Sequence, residues 1–275
     1  MPLSIVVPMH DESPNVRRLV REVATAFADL PGTELLIVDD GSTDDTAALV
    51  QAAMREFPAL RLIRLGQQSG QSTAIWTGVQ AAGGTLLGVL DGDLQNDPAD
   101  LRRLVQQWHD EGDAARRAGR PDDLGMLIGE RTRRRDTVVR RLSSRIANGV
   151  RRRLLDDGIR DTGCGLKLLE RRVFLQLPYF DHMHRFMPAL VRQAGLRVVP
   201  VPVNHRPRHA GRSKYGIGNR LWVGLVDLVG VAWLARRNRR TAWREVLRSE
   251  PVAVGPPDRG TLAAQPAAME EVSVP

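Results

Sequence analysis

The sequence predicts an α/β fold: a mostly parallel sheet flanked by helices, with an amphipathic, interfacial helix near its C-terminal end. Three observations carry this. Apolar runs of strand length alternate with helix-period segments. Acidic residues fall just beyond several of those runs, where an open parallel sheet places its ligands. An apolar segment bracketed by tryptophans, Leu221 to Leu234, is followed at once by arginines.

Taken in order, "LSIVV" (3–7) is the first strand, and Val16, Leu19, Val20, Val23, Phe27 and Leu30 then share one helical face. "ELLIV" (34–38) is the second strand. In "GSTDDT", Ser42 and Thr43 are expected to cap a helix carrying Leu49, Val50, Ala53 and Met54. "LRLIRL" (60–65), a Gly/Gln/Ser loop, a helix over 71–82 and "LLGVL" (86–90) continue the series. A helix from Leu101 to about His109 should give way to a polar surface loop, 110–123. "LGMLIGE" (124–130) is a further strand and precedes the arginine-dense stretch 131–153. Residues 184–195 read as helix, and "LRVVPVPVNHR" (196–206) as extended chain. Strands and helices at this spacing imply a parallel sheet. From about 251 the Pro/Ala/Gly composition is that of a disordered tail.

The chain has 275 residues, 42% hydrophobic and 26% charged, as a soluble globular protein does. Its one cysteine, Cys164, allows no intramolecular disulfide and suits a reducing compartment. The N-terminus lacks the basic and long apolar regions of a signal peptide. A net charge of +8 favours anionic partners such as phosphates or anionic lipid. Only Lys167 and Lys214 among 40 basic residues are lysine, so much of the arginine content reads as a coding bias, which discounts in part the nucleic-acid reading that the charge invites.

Acids mark three strand ends: Pro8-Met9-His10-Asp11-Glu12, then Asp39-Asp40, then Asp91-Gly92-Asp93. A dinucleotide fold needs a glycine-rich turn after its first strand. Here that turn is "PMHDESPN", with no glycine and two acids that would repel a pyrophosphate. A different arrangement survives, in which the first two ends read a base and ribose while Asp91 and Asp93 hold a divalent cation against a diphosphate. A period-2 backbone would send both carboxylates to one side, Gly92 would let the backbone approach closely, and Gln95 adds a neutral oxygen. Alone, an Asp-x-Asp is most often a capped turn; acids at two earlier strand ends favour the clamp.

"SIVVPMHDE", "LLIVDDGSTDDT", "QQSGQSTAIWTGVQAAGGTLLGVLDGDLQNDP" and "GRSKYG" together resemble family 2 glycosyltransferases of the GT-A fold, in their polyprenyl-phosphate (dolichol-phosphate) hexosyltransferase branch. The resemblance runs from residue 3 to about 240. It implies a GT-A catalytic domain over 1–215 and inverting transfer of a hexose from a nucleotide-diphosphate sugar to a polyprenyl phosphate, with GDP-mannose slightly preferred over a UDP-sugar. Carried over, Pro8, Glu12, Asp39, Asp40, Asp91 and Arg208 would contact the nucleotide. Asp91, Asp93 and Gln95 would bind Mg²⁺ or Mn²⁺. Arg131, Arg140, Ser144, Ser213 and Lys214 would hold the acceptor phosphate. As catalytic residues, Asp93 with the metal would stabilise the departing diphosphate, while Arg131 and Lys214, with Arg140, would hold the two phosphates. Asp161, His184 and Arg185 are further candidates, Asp161 as an orienter or a loop cap. The family usually reads Asn-Glu after a tyrosine where this chain has His10, Asp11 and Glu12.

A lipid phosphate is anionic at neutral pH, so the reaction needs positioning and charge stabilisation more than a general base. The apolar segment 221–234 would reach about 21 Å as a helix, short of the ~30 Å hydrocarbon core. Asp227 at its centre also opposes spanning. Trp222, Trp233 and Arg236, Arg237, Arg239 and Arg240 instead suit a helix lying on an anionic surface, within an interfacial region 216–245. The expected place is peripheral, on the cytoplasmic face of a membrane, with a separate membrane protein as a further expected partner. Other readings are transfer to a glycan or soluble acceptor, nucleic-acid binding, and non-catalytic sensing of a nucleotide sugar. Cys164 reads as a packed residue, with no histidine nearby in sequence to activate it.

Overall fold

In the computed structural model, the described residues are 1–131, 158–207 and 217–237, with backbone alone for 217–225 and 235. A seven-stranded sheet runs in the order β3-β2-β1-β4-β6-β5-β7. Its strands are β1 (Leu3–Met9), β2 (Glu34–Asp39), β3 (Leu60–Arg64), β4 (Leu86–Val89), β5 (Leu124–Arg131), β6 (Lys167–Glu170) and β7 (Arg197–Val203). The helices are α1 (Val16–Ala26), α2 (Thr46–Ala53), α3 (Gln71–Ala81), α4 (Pro98–Arg117), α5 (Arg171–Leu175), α6 (Met187–Gln193) and α7 (Ile217–Arg237). Strand β1 pairs in parallel with both β2 and β4, which leave it in opposite directions. The carboxyl ends of β1 and β4 therefore flank the point where the strand order reverses, the usual crevice for a ligand in an open sheet.

Successive residues of β1 enter opposite cores. Ile5 and Val7 pack with Val16, Leu19, Val20 and Val23 of α1 and with Leu101, Leu104 and Trp108 of α4. Val6 packs on the other face with Ala74, Ile75 and Val79 of α3, in the layer that also holds Phe174, Met187, Val191, Leu228 and Val231. A sheet buried on both faces needs apolar residues at every position, which is why its strands read as unbroken runs.

One expectation changes. Helix α4 runs from Pro98 to Arg117, so much of the expected loop 110–123 is helix. Asp97 caps it by accepting from Ala99 N at 3.0 Å, and the Gln106–Asp110 and Arg116–Asp113 pairs carry its polar outer turns. The sheet is mostly parallel, as expected, with one antiparallel strand. Strand β6 lies antiparallel between β4 and β5, bonded to both. Its sequence, "KLLE", has the residue types of a helix and only four positions, so no period-2 pattern could announce it. The tail from 251 lies outside the described residues.

Candidate active site

The loops after β1 and β2 lock together. Asp11 takes a positive φ of 48°, uncommon away from glycine, and its carboxylate accepts from Thr43 N at 2.7 Å and Thr43 Oγ1 at 3.2 Å. Asp11 N donates to Ser42 Oγ (2.9 Å), Glu12 N to Thr46 Oγ1 (2.9 Å) and Ser13 N to Asp44 Oδ2 (3.1 Å). Ser42 and Thr43 thus bind the neighbouring loop and do not cap α2; Asp44 meets Thr46 N at that helix start. Asp11 belongs to this lock. His10 Nδ1 sits 2.8 Å from the Asp40 carbonyl, and Glu12 Oε2 accepts from the buried Asn15 side chain at 2.6 Å.

Asp39 and Asp40, expected to read the ribose and base, are both buried and internally bonded. Asp39 accepts from Ser42 N (3.0 Å) and from Arg64 Nε on β3 (3.1 Å). Asp40 accepts from Ser69 N (2.6 Å) and Gly70 N (2.9 Å), folding the loop before α3 back over the end of β2. Both carboxylates therefore tie together the loops at the carboxyl ends of β2 and β3. Pro8 is half-buried in β1 beside them.

Strand β4 ends at Val89, so Asp91 to Asp93 form a turn and not the extended strand expected from their spacing. Leu94 completes it at φ 62°, and Asp93 Oδ1 accepts from Gln95 N at 3.1 Å. Gly92 permits close approach to β1: a Cβ there would lie 2.7 Å from Met9 Cγ. Asp91 Oδ1 accepts from Gln71 Nε2, in the first turn of α3, at 2.8 Å. Burial and then the neighbouring Asp93 push the Asp91 carboxyl up, while Lys167, Arg131 and the Gln71 bond draw it back. Gln95 turns its amide nitrogen towards His205 Nε2 (3.4 Å) and the Arg206 carbonyl (3.5 Å), linking the acidic turn to the chain after β7. Arg206 N donates to the Gln95 carbonyl at 3.0 Å, and its guanidinium pairs with Glu22 and Asp97, each at 2.5 Å.

At the end of β5, Arg131 makes a bidentate pair with Asp161: Nε to Oδ2 at 2.6 Å and Nη2 to Oδ1 at 2.7 Å. Burial works against the guanidinium charge, and Asp161 more than offsets it. Asp161 is thus the group that fixes the plane of Arg131. Two residues on the α3 side of the sheet complete the cluster. Lys167 is 3% exposed and donates Nζ to the Cys164 carbonyl. His184 Nδ1 lies 2.8 Å from Ser72 Oγ, and burial, then Lys167, Arg185 and His182, hold the ring well below its usual range. Arg185 is half-buried beside it. Cys164 is buried and its thiol pushed up by burial, as suits a packing residue.

The two carboxylates offer hard oxygen ligands of the kind Mg²⁺ and Mn²⁺ take. Their mutual repulsion in a buried setting is what a divalent ion would relieve. Among the described residues no group of three or more acidic, histidine or cysteine side chains could hold an ion alone. That fits a cation completed by a diphosphate and water, as Mg²⁺ usually is. Arg140, Ser144, Arg208, Ser213 and Lys214 lie outside the described residues. Gln71, Ser72, Lys167 and Arg206 were not singled out from the sequence. Only Lys167 carried a signal, as one of two lysines in an arginine-rich chain.

On α7, Leu228, Val231 and Ala232 pack into the core while Val226, Val229 and Trp233 are 68%, 59% and 60% exposed. Asp227 turns inwards to His182 Nδ1 at 3.0 Å, which explains an acid in an apolar segment. Arg237 stacks 5.6 Å over the Trp233 ring. No helix among the described residues is long and apolar enough to cross a membrane.

The profile of Glycosyl transferase family 2 matches residues 4–177. A dodecaprenyl-phosphate galacturonate synthase of Rhizobium johnstonii is 38% identical over 86% of this chain and 68% of its own length. An undecaprenyl-phosphate 4-deoxy-4-formamido-L-arabinose transferase of Klebsiella pneumoniae is 33% identical over 78% and 62%. The chain therefore spans about two thirds of these relatives. Among solved structures, a mannosyltransferase of Pyrobaculum calidifontis with GDP-Man and Mn²⁺ superposes at TM-score 0.59, with 16% identity, over 87% of this chain and 65% of its own. Glucosyl-3-phosphoglycerate synthase of Mycobacterium tuberculosis, with Mn²⁺ and UDP-glucose, gives 0.59 at 15% identity over 87% and 82%. These two show the fold, which is GT-A.

Proposed function

The chain belongs to glycosyl transferase family 2, and from that premise we propose that it transfers a sugar from a nucleotide-diphosphate donor to a polyprenyl phosphate, inverting the anomeric carbon. The acidic turn at the strand-order reversal carries the reading: Asp91 and Asp93 stand where a donor diphosphate would enter the crevice. Asp91 and Asp93 would hold Mg²⁺ or Mn²⁺, which when bound neutralises the departing diphosphate. Gln71 fixes one oxygen of Asp91, and Asp161 fixes the guanidinium of Arg131 towards the acceptor phosphate. That phosphate is already ionised, so no side chain has to remove a proton. Pro8, His10 and Glu12 line the nucleotide end, with Asp39 and Asp40 shaping its wall. Arg140, Ser144, Arg208, Ser213 and Lys214 are assigned to the phosphates on their motif positions alone.

The curated relatives name galacturonate and a formamido-arabinose, so nothing among them favours the mannose donor. The exposed Val226, Val229 and Trp233 with Arg236 and Arg237 support a peripheral contact of α7 with an anionic leaflet, on the cytoplasmic side. The test is transfer in vesicles containing undecaprenyl phosphate, across GDP- and UDP-linked hexoses, hexuronates and amino sugars. A lipid-linked product of inverted configuration is expected. Transfer only to water or to a soluble acceptor would overturn the proposal.

A further inference from the structure

Beneath Asp91, strand β6 has a construction that packing alone does not require. Val89 pairs with Lys167 in the β4–β6 ladder, and two more steps of that register set Gly165 opposite Asp91. A Cβ on Gly165 would lie 2.0 Å from Asp91 Oδ2 and 2.2 Å from Cγ, so the carboxylate lies over the bare α-carbon of residue 165. Residues 165 and 167 share a face of the chain. From that face the buried Lys167 ammonium returns to the Cys164 carbonyl, on the residue just before Gly165. Burial draws the Lys167 pKa down, and Cys164, Asp91 and Asp161 draw it back. A buried ammonium is costly unless negative groups face it, and an apolar side chain of similar volume would pack there without that cost.

We infer that Lys167 is a positioning residue for the donor site: it pins the Cys164–Gly165 backbone as the seat of Asp91 and sets its amine close to that carboxylate. Asp91 then keeps one orientation before a cation and diphosphate arrive. The inference rests on the reading of Asp91 and Asp93 as the cation and diphosphate site.

Lys167→Met and Lys167→Arg separate charge from packing, because a packing role tolerates methionine and rejects the larger arginine. Binding of Mn²⁺ together with GDP or UDP, followed by Mn²⁺ electron paramagnetic resonance and by thermal shift, is read beside the kinetics. Lys167→Met is expected to weaken binding of the Mn²⁺–nucleotide pair about tenfold and lower kcat at least as much, with the arginine variant recovering much of both. Gly165→Ala, which forces Asp91 off its seat, is expected to lose Mn²⁺–nucleotide binding. Should Lys167→Met not fold, the arginine and Gly165→Ala variants decide. Parent-like Mn²⁺–nucleotide binding in Lys167→Met, or in Gly165→Ala, overturns the inference while leaving the site reading intact. Asp91→Asn distinguishes the two failures: if it too binds like the parent, the site reading fails and the inference falls with it.

Discussion

Asp91 is the residue on which burial and the repulsion of Asp93 converge, and where the proposed cation would sit. Replacing it, or Asp93, by asparagine keeps the shape and removes the charge. A loss of a hundredfold or more in kcat/KM is expected, since a cation at such a site supplies several kcal/mol; donor-induced thermal stabilisation with Mn²⁺ should vanish in parallel. Asp161→Asn tests the other charge, because it leaves the Arg131 guanidinium without its bidentate partner. It should cost activity while Mn²⁺–nucleotide binding persists. His184 gives a pH signature. Its folded-state pKa is depressed by burial, so the unfolded chain binds the proton more readily, and the stability this contributes is present above about 6.5 and lost as pH falls. Each pH unit below that value costs up to about 1.4 kcal/mol. Denaturant melts at pH 7.5 and 5.5 should therefore show a smaller acid-side loss in His184→Asn than in the parent. The residue types at these positions were legible in the sequence. Their partners were not, because Gln71 and Asp91, or Ser72 and His184, meet only through the register of different elements.

At the scale of elements, α3 is the support of the cluster. Its first three residues contact Asp91, His184 and Tyr179, through Gln71, Ser72 and Thr73. Gly78 lets it lie close on the sheet: a Cβ there would come within 2.5 Å of Val6 Cγ1 and 2.9 Å of Val38 Cγ2. Gly78→Ala gains about 1 kcal/mol of helix propensity and loses about 1–3 kcal/mol to overpacking. The net expectation is a lower Tm and a raised KM for the donor, as α3 is lifted from Asp91. A parent-like KM would mean that α3 does not position the site. Periodicity announced α3 and most strands, because each shows its apolar pattern over many residues. It did not announce β6, whose four residues gain their strand state from the ladders on both sides. It also shortened α4, because the outer turns are polar and are held by a cap and side-chain pairs rather than by an apolar face.

For the whole molecule, the candidate site lies at the carboxyl ends of the central strands while α7 presents Val226, Val229 and Trp233 to solvent. If that stripe meets a leaflet, Arg236→Ala with Arg237→Ala should weaken binding to anionic vesicles about thirtyfold, at about 1 kcal/mol for each arginine. Flotation at low and high salt measures this, and Trp233→Glu should abolish what remains; unchanged binding would remove the membrane assignment from α7. The sequence by itself determined the alternating architecture, the acidic strand ends and the family, because hydrophobic period and motif order are written along the chain. Only the tertiary structure decided that Asp39 and Asp40 bond to the loops beside them, that Asp161 holds Arg131, and that Lys167 and Gly165 lie under Asp91. Those are contacts between segments distant in sequence, and a side chain's role is set by which neighbour the strand register brings within hydrogen-bonding distance.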